Sequence, residues 1–163
     1  MNKLNQTLAK IFDASSLSKA LSNWRQEGKK IVFTNGCFDI LHRGHVDYLA
    51  KAADLGDILI VGLNTDISVS KLKGSHRPIQ DEQSRLQIMA SLGFVDGVIL
   101  FSEPTPLELI RLVQPDVLVK GSDYQIENIV GYDIVMSKGG KIQTIDFLDG
   151  FSTSAIEKKI MSN

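Results

Sequence analysis

Short apolar runs alternate with helical patterns along most of the chain. From Ile31 onward, continuous runs rich in Val, Ile and Leu occupy residues 31–35, 58–63, 97–101, 116–120 and 141–146. Apolar residues recur at helical spacing over residues 44–54, 82–92, 106–113, 131–138 and 153–161. Apolar strands separated by helices indicate a parallel sheet that is covered on both faces. We therefore predict a three-layer α/β fold with a five-stranded, mainly parallel sheet.

The first 28 residues follow a helical pattern in two pieces. Apolar residues recur at helical spacing from Leu4 to Phe12 and again from Leu17 to Trp24, and Gly28 is suited to end the second helix. We interpret residues 1–28 as a helical arm that precedes a main domain of residues 29–163. The apolar stripe of this arm needs cover, either from the main domain or from a second subunit in a homodimer.

Composition and charge narrow the functional classes. The chain is 43% hydrophobic and 23% charged, as is ordinary for one globular domain. A net charge of −1 gives no reason to expect binding to nucleic acid or to an anionic membrane surface. No apolar run approaches the ~20 residues of a membrane span, and the amino terminus lacks the apolar core of a signal peptide. Since Cys37 is the single cysteine, no internal disulfide can form, and we expect a cytoplasmic protein.

Polar, glycine-containing segments follow four of the five predicted strands: residues 35–39, 64–66, 120–124 and 149–154. Parallel sheets bind ligands at the carboxyl ends of their strands, so these segments predict one cleft. The stretch 64–81 shows no clear periodicity and carries a basic cluster of Lys71, Lys73 and Arg77. A loop of that length is usually functional or mobile, and the cluster is either a solvated loop or a clamp for phosphate.

Two histidines mark the start of the helix that follows the first predicted strand. His42 and His45 come after an Asn35-Gly36 turn, and Gly44 between them leaves room for a ligand to approach the backbone. A helix start presents unpaired N–H groups and suits phosphate. Zinc is disfavoured because Cys37 is the only thiol and no third ligand has suitable spacing, so we predict no protein metal site. The chain contains neither a P-loop pattern nor G-x-G-x-x-G.

Two other polar groups have both a structural and a functional interpretation. Ser152, Thr153 and Ser154 open the last predicted helix, where they either cap it, with Ser154 and Glu157 as a capping box, or hold a phosphate. Lys120 ends an apolar strand, where a lysine must either extend its ammonium group to water or find an anion. That anion is either Asp123 of the same loop or a bound substrate.

Four segments of the chain together resemble the nucleotidyltransferase superfamily with the HxGH motif, in its cytidylyltransferase-like branch. In order, they are FTNGCFDILHRGHVDYLAKAADLGD, LNTDISVSKLKGSHRPI, DVLVKGSDY and DGFSTSAIEKKI. Their order and spacing are similar to the adenylyltransferase domains of the bifunctional heptose kinase/adenylyltransferases. The likeness covers roughly residues 28–161 and leaves no room for the kinase part, so the chain resembles a stand-alone form.

The resemblance implies a Rossmann-like nucleotidyltransferase fold and transfer of AMP from ATP to D-glycero-β-D-manno-heptose 1-phosphate. The products would be pyrophosphate and ADP-heptose, a precursor of the lipopolysaccharide core, and Mg²⁺ would be the cofactor. The resemblance implies catalytic roles for His42, His45 and Lys120. It implies substrate binding by further residues around the cleft: Thr34, Asn35, Gly36, Phe38, Asp39, Gly44, Lys71, Lys73, Gly121, Asp123, Ser152, Thr153 and Ser154.

The choice of nucleotide and acceptor rests on smaller differences. Relatives that use CTP often carry Arg-Thr-Glu-Gly before the Ser-Thr-Thr stretch, whereas Asp149-Gly150-Phe151 stands here and favours adenine. The alternative enzyme is another sugar- or alcohol-phosphate nucleotidyltransferase, such as a glycerol-3-phosphate cytidylyltransferase. Two further classes are a regulatory module that binds nucleotide without chemistry and a simple interaction domain.

Overall fold

A six-stranded, all-parallel sheet forms the middle layer of the protein in the computed structural model, which describes residues 2–122 and 125–162. The strand order is β1-β4-β3-β2-β5-β6. The strands are β1 (Ile11–Phe12), β2 (Ile31–Gly36), β3 (Ile58–Asn64), β4 (Gly97–Phe101), β5 (Val117–Gly121) and β6 (Lys141–Ile145). The chain adds β3 and β4 on one side of β2 and then crosses to place β5 on the other side.

Helices cover both faces of this sheet. The α-helices in the described ranges are α1 (Lys3–Leu8), α2 (Ala14–Gln26), α3 (Arg43–Ala53), α4 (Asp66–Lys73), α5 (Glu82–Ala90), α6 (Leu107–Val113), α7 (Tyr132–Ser137) and α8 (Thr153–Met161). A short 3₁₀ turn spans Ile126–Asn128. None of the helices in residues 2–122 and 125–162 has the length and apolar character needed to cross a membrane.

The buried side chains form two hydrophobic cores, one on each face of the sheet. Successive strand residues point to opposite faces, so Val32 packs with α3 and α5, whereas its neighbours Ile31 and Phe33 pack with α2, α6 and α7. Every residue of β3 is buried, which explains its unbroken apolar sequence. The expected three-layer α/β architecture is confirmed, and all five predicted strands are present within a residue or two of their predicted bounds.

The amino-terminal segment differs from the two expected helical pieces at the end of the first piece. Ile11 and Phe12 do not continue a helix but form β1, which pairs with Val98 and Ile99 at the edge of the sheet. The helical prediction for these two residues was wrong because a two-residue strand is too short to show a period of its own. Leu17 and Leu21 of α2 are buried in the second core. The apolar face of α2 is therefore covered by other residues of the same chain. The apolar residues of α1 remain exposed, and cover by a second subunit stays a prediction for them alone.

The stretch 64–81 contains a helix that the sequence pattern did not predict. Helix α4 begins after Thr65, whose side-chain oxygen accepts a hydrogen bond from the Ser68 N–H. Among its apolar residues Val69 is buried, but Ile67 and Leu72 are exposed. Because its apolar residues do not form one buried stripe, periodicity gave no signal. The irregular loop is reduced to residues 74–81.

We expect Leu17→Ala to lower the free energy of unfolding by about 2–5 kcal/mol, because it leaves a cavity in a closed core. Leu8→Ala is the matched control, since Leu8 on α1 is 43% exposed, and it should change that free energy by no more than about 0.5 kcal/mol. Urea denaturation followed by circular dichroism measures both. Equal effects of the two substitutions would mean that α2 is a loosely attached arm.

Candidate active site

A cleft opens at the carboxyl ends of β2, β3 and β5. The order of the sheet places β2 and β5 side by side although they are not consecutive, and such a crossover point is where open α/β sheets bind ligands. The cavity has a volume of about 480 Å³, within the range of small-molecule sites. Seven residues proposed from the sequence line it: Asn35, Gly36, Phe38, His45, Lys73, Lys120 and Gly121.

The two histidines lie at the start of α3, as expected. His42 is the N-cap residue and His45 lies in the first turn. Their rings stack with centroids 3.7 Å apart and an angle of 20° between the planes. Phe38 has a left-handed backbone (φ 44°) and presents its ring to that of His45 at a centroid distance of 5.1 Å. The two imidazoles therefore form one rigid unit at the edge of the cleft.

The surroundings of this unit disfavour its protonation. Burial lowers the pKa of His45 to about 4, and the nearby charges of His42 and Lys73 act in the same direction, against a weaker opposing effect of the Ile40 carbonyl. Burial also lowers the pKa of His42. Neither Nδ1 atom makes a well-aligned hydrogen bond to a described residue. At neutral pH, His45 is therefore a neutral imidazole that can donate one N–H.

Two lysines bring positive charge to the same cleft. Lys73 is exposed at the end of α4, and Lys120 is half-buried near the end of β5. The Lys120 ammonium donates a hydrogen bond to the Asn35 side-chain oxygen, which holds it over the end of β2. Asp123, the alternative partner considered for Lys120, lies outside the described residues. Lys71 is exposed and is not among the residues that line the cavity.

Gly44 is required by the close approach of the chain before α8. A Cβ atom on Gly44 would lie 3.1 Å from the His42 ring and 3.1 Å from the Phe151 Cβ. The Arg43 guanidinium lies 5.5 Å from the centre of the Phe151 ring. A side chain at position 44 would therefore require His42 or Phe151 to move by a few tenths of an ångström. Gly44 thus brings the start of α8 against the start of α3.

The serine and threonine residues expected to hold phosphate lie at the start of α8. Ser152 is the N-cap residue, and its oxygen accepts a hydrogen bond from the Ala155 N–H at 3.0 Å. The capping box expected between Ser154 and Glu157 is therefore wrong. Ser152 and Ser154 are exposed and Thr153 is half-buried. None of the three lines the cavity itself, so they lie beside it, next to Phe151.

Asp39 and Arg77 form a buried ion pair with each other. The Asp39 carboxylate accepts hydrogen bonds from the Arg77 guanidinium at 2.8 Å and from the N–H groups of Ile79 and Gln80. Burial by itself raises the pKa of Asp39, but the hydrogen bonds from Gln80 and Arg77 outweigh it and hold the pKa below its usual value. Arg77 also pairs with Glu157. The expected roles of Asp39 in the nucleotide site and of Arg77 in a phosphate clamp are therefore not supported.

Thr34 is also turned away from the cleft. Its side chain is fully buried, and its hydroxyl shares a 2.9 Å hydrogen bond with the Tyr48 hydroxyl. Tyr48 lines the cavity and stacks on Phe147 with centroids 5.6 Å apart. Thr34 therefore contacts a wall residue of the cleft, and direct contact with a nucleotide is not supported.

A second buried arginine, Arg85 on α5, supports the floor of the cleft. It donates hydrogen bonds to the Cys37 carbonyl at 2.8 Å, to the Gln80 carbonyl at 3.1 Å and to the Asp66 carboxylate at 2.7 Å. Burial raises the pKa of the Cys37 thiol, which fits the expectation that Cys37 is not a nucleophile. Arg85 therefore fixes the backbone from which Cys37 and Phe38 project.

Several wall residues were not anticipated from the sequence. They come from two segments, after β4 and around the 3₁₀ turn: Phe101, Pro104, Thr105, Pro106, Asn128, Ile129 and Val130. The strand-end argument could have found the first segment, because Phe101 ends a predicted strand and residues 102–106 follow it. The second segment has no sequence signal, since its place depends on how the chain returns from β5.

The part of the chain that the structure describes contains no group of three or more His, Cys, Asp or Glu residues arranged to hold a metal ion. These residues therefore do not form a metal cage made of protein ligands alone.

Comparison with known families agrees with the site. Residues 33–158 match the model of the cytidylyltransferase-like family, which spans all the strand ends described above. The chain belongs to the cytidylyltransferase-like family. The expected relationship, based on the HxGH segment and three later motifs, is thereby confirmed.

Curated relatives extend this match over nearly the whole chain. The bifunctional protein HldE of Citrifermentans bemidjiense is 53% identical over 155 residues, which are 95% of this chain and 32% of that protein. HldE of Campylobacter curvus is 55% identical over 152 residues, or 93% of this chain and 31% of that protein. This cytidylyltransferase-like chain thus spans about a third of the length of these relatives.

Solved structures agree with the fold. The lipopolysaccharide core biosynthesis protein from Thermoplasma volcanium GSS1 is 34% identical with a TM-score of 0.62, and the match covers 75% of this chain and 100% of that one. The pantoate-beta-alanine ligase from Francisella tularensis has a TM-score of 0.63 at 21% identity, covering 94% of this chain and 78% of the ligase. The second likeness concerns the fold alone.

We expect His45 in the ligand-free protein to titrate with a pKa near 4, whereas the same residue in urea should return to the value of about 6.5 of a free imidazole. Burial of the ring disfavours the charged form. Nuclear magnetic resonance of the imidazole carbons between pH 3 and 8 measures the midpoint. A folded-state midpoint of 6 or above would contradict the neutral state assigned to His45.

Proposed function

We propose that this chain is a nucleotidyltransferase that transfers AMP from ATP to D-glycero-β-D-manno-heptose 1-phosphate, giving ADP-heptose and pyrophosphate. The observation that carries the proposal is the stacked, neutral His42–His45 pair at a helix start, in a cleft that also receives Lys73 and Lys120. The similarity to HldE and to a lipopolysaccharide core biosynthesis protein supports this choice of substrate. A reaction that consumes ATP and a sugar phosphate would take place in the cytoplasm.

The residues of the cleft suit an in-line phosphoryl transfer. The acceptor phosphate attacks the α-phosphorus of ATP, and negative charge accumulates on the surrounding oxygens in the transition state. Catalysis of such a step is mainly positioning and electrostatic stabilisation. In this proposal, His45 donates an N–H to the α-phosphate, and Lys120, held by Asn35, neutralises the incoming phosphate. No covalent intermediate with the protein is needed.

The start of α8 would hold the leaving pyrophosphate. The first N–H groups of a helix have no partners within the helix and favour anions. Ser152 and Ser154 add hydroxyl groups there, and both are exposed. Lys73, at the end of α4, adds a positive charge to the cleft. Mg²⁺, carried on the phosphates of ATP, is the proposed cofactor and supplies further neutralisation of charge when it is bound.

A second candidate function is a cytidylyltransferase that acts on an alcohol phosphate such as glycerol 3-phosphate. The description of the matched family, cytidylyltransferase-like, is the observation that favours it. Asp149-Gly150-Phe151 before the Ser152–Ser154 stretch is the sequence feature that favours ATP instead. The two candidates share the same chemistry at phosphorus and differ in the nucleotide base and the acceptor.

A pyrophosphate-release assay with purified protein and Mg²⁺ tests the proposal. We expect turnover with ATP and D-glycero-β-D-manno-heptose 1-phosphate, and little with CTP and glycerol 3-phosphate. Turnover only with the second pair would replace the proposed function by the second candidate. Nucleotide binding without pyrophosphate release would leave only a binding module.

We expect His45→Ala to lower kcat by roughly 10²–10³, the usual cost of removing one donor that stabilises transition-state charge. Val46→Ala is the control on the next residue of α3, because Val46 is 36% exposed, and it should retain near-normal turnover. Steady-state kinetics measures both, and circular dichroism should show the same fold for the two variants. Near-full turnover of His45→Ala would overturn the role given to His45.

A further inference from the structure

A single buried arginine connects the two sides of the candidate active site. Arg77 is 6% exposed. One nitrogen of its guanidinium donates to the Asp39 carboxylate at 2.8 Å, and another nitrogen donates to the Glu157 carboxylate. Asp39 lies in the loop between β2 and the histidine pair, whereas Glu157 lies on α8. Arg77 therefore joins the turn after β2 directly to the last helix.

The Asp39 side of this bridge is rigid. The Asp39 carboxylate also accepts hydrogen bonds from the Ile79 N–H at 2.8 Å and the Gln80 N–H at 3.0 Å. The Ser70 hydroxyl donates to the Arg77 carbonyl, which ties the same loop back to α4. The guanidinium is thus held in place by backbone and side-chain contacts that do not involve α8, and Lys73 lies at the start of the loop so fixed.

The Glu157 side is different because α8 has few other anchors. None of the residues Thr153–Met161 is fully buried, so apolar packing does little to fix this helix. Glu157 follows Ser154 by three residues, which places both on the same face of the helix. A contact at Glu157 therefore acts on the first turn, where Ser152, Thr153 and Ser154 lie, in addition to the packing of Phe151 against Gly44 and Arg43.

We propose that the Arg77–Glu157 ion pair is a positioning contact that fixes the first turn of α8 relative to Lys73 and so tunes the affinity for the nucleotide triphosphate. Arg77 and Glu157 themselves contact no substrate. The effect on affinity rests on the proposed function, because it requires that the start of α8 holds phosphate. Loss of a contact with a purely structural role would lower the free energy of unfolding. It would affect the binding of nucleotide and the binding of acceptor to the same extent.

Glu157→Gln tests the contact, because glutamine keeps the shape of the side chain and removes its charge. The matched control is Glu108→Gln on α6, which neutralises a glutamate in an exposed pair with Arg111. We expect hydrogen exchange of the α8 amides to become about tenfold faster in Glu157→Gln, while the amides of β2 and β3 stay unchanged. Exchange in Glu108→Gln should match the wild type throughout.

The nucleotide arm of the test uses ATP and the sugar phosphate separately. We expect the Kd for ATP to rise about tenfold in Glu157→Gln, the order expected for a charge-assisted hydrogen bond. The KM for the acceptor should stay within about twofold. Arg77→Lys replaces the two separate guanidinium nitrogens that bind Asp39 and Glu157 by a single ammonium nitrogen, which cannot reproduce both contacts with the same geometry, so it should weaken ATP binding as well. In the double variant the two effects should not add, because both act through one contact.

Two results would overturn the proposal. One is α8 exchange in Glu157→Gln that matches Glu108→Gln, and the other is a Kd for ATP that rises no more than the KM for the acceptor. The failure of the proposed function is distinguishable from both, because it would appear in the wild-type protein, as turnover with CTP alone, as nucleotide binding without pyrophosphate release, or as no nucleotide binding at all. The exchange experiment would then decide alone: faster exchange confined to α8 supports a positioning contact, and unchanged exchange refutes it.

Discussion

The structure of the candidate site depends on burying the charge of Asp39 together with that of Arg77. Taking two charges out of water is costly, and removing one partner of such a pair leaves an uncompensated charge in the interior. Here the cost is offset by the hydrogen bonds that Asp39 accepts from Arg77, Ile79 and Gln80. Because these bonds favour the charged carboxylate, they hold its pKa below the usual value even though burial acts in the opposite direction. The pair fixes the loop that leads to the histidines against the loop that follows α4.

Whereas Asp39 is held in its charged form, His45 at the cleft is held in its neutral form. His45 lies at the positive end of a helix, is half-buried and has Lys73 nearby, so every major influence disfavours a charged ring. Lys120, by contrast, keeps a polar partner in Asn35. The cleft thus combines a neutral hydrogen-bond donor with two lysine ammonium groups, which suits a ligand that brings several negative charges of its own. Gly44 allows this donor and the start of α8 to lie side by side.

The match to the cytidylyltransferase-like family covers residues 33–158, a range that includes all the residues that line the cleft. This chain corresponds to about a third of the length of the HldE proteins compared with it. The residues of this chain form the six-stranded sheet and both hydrophobic cores. Residues 11–12 and α2, which had been assigned to a separate arm, contribute an edge strand and two fully buried leucines to them.

The sequence by itself determined five of the six strands and the helices between most of them, the parallel character of the sheet and the place of the cleft. These features are local, because a strand of Val, Ile and Leu, a helical period and a polar strand end can each be recognised within a few residues.

Only the tertiary structure decided which polar residues face the cleft. Asp39 and Arg77 are 38 residues apart, and Arg77 and Glu157 are 80 residues apart, so no local pattern indicates that they pair. The same reason applies to Thr34, whose hydroxyl bonds to Tyr48 on α3 instead of facing a ligand, and to Ile11–Phe12, which become a strand only because the edge of β4 is there to pair with them.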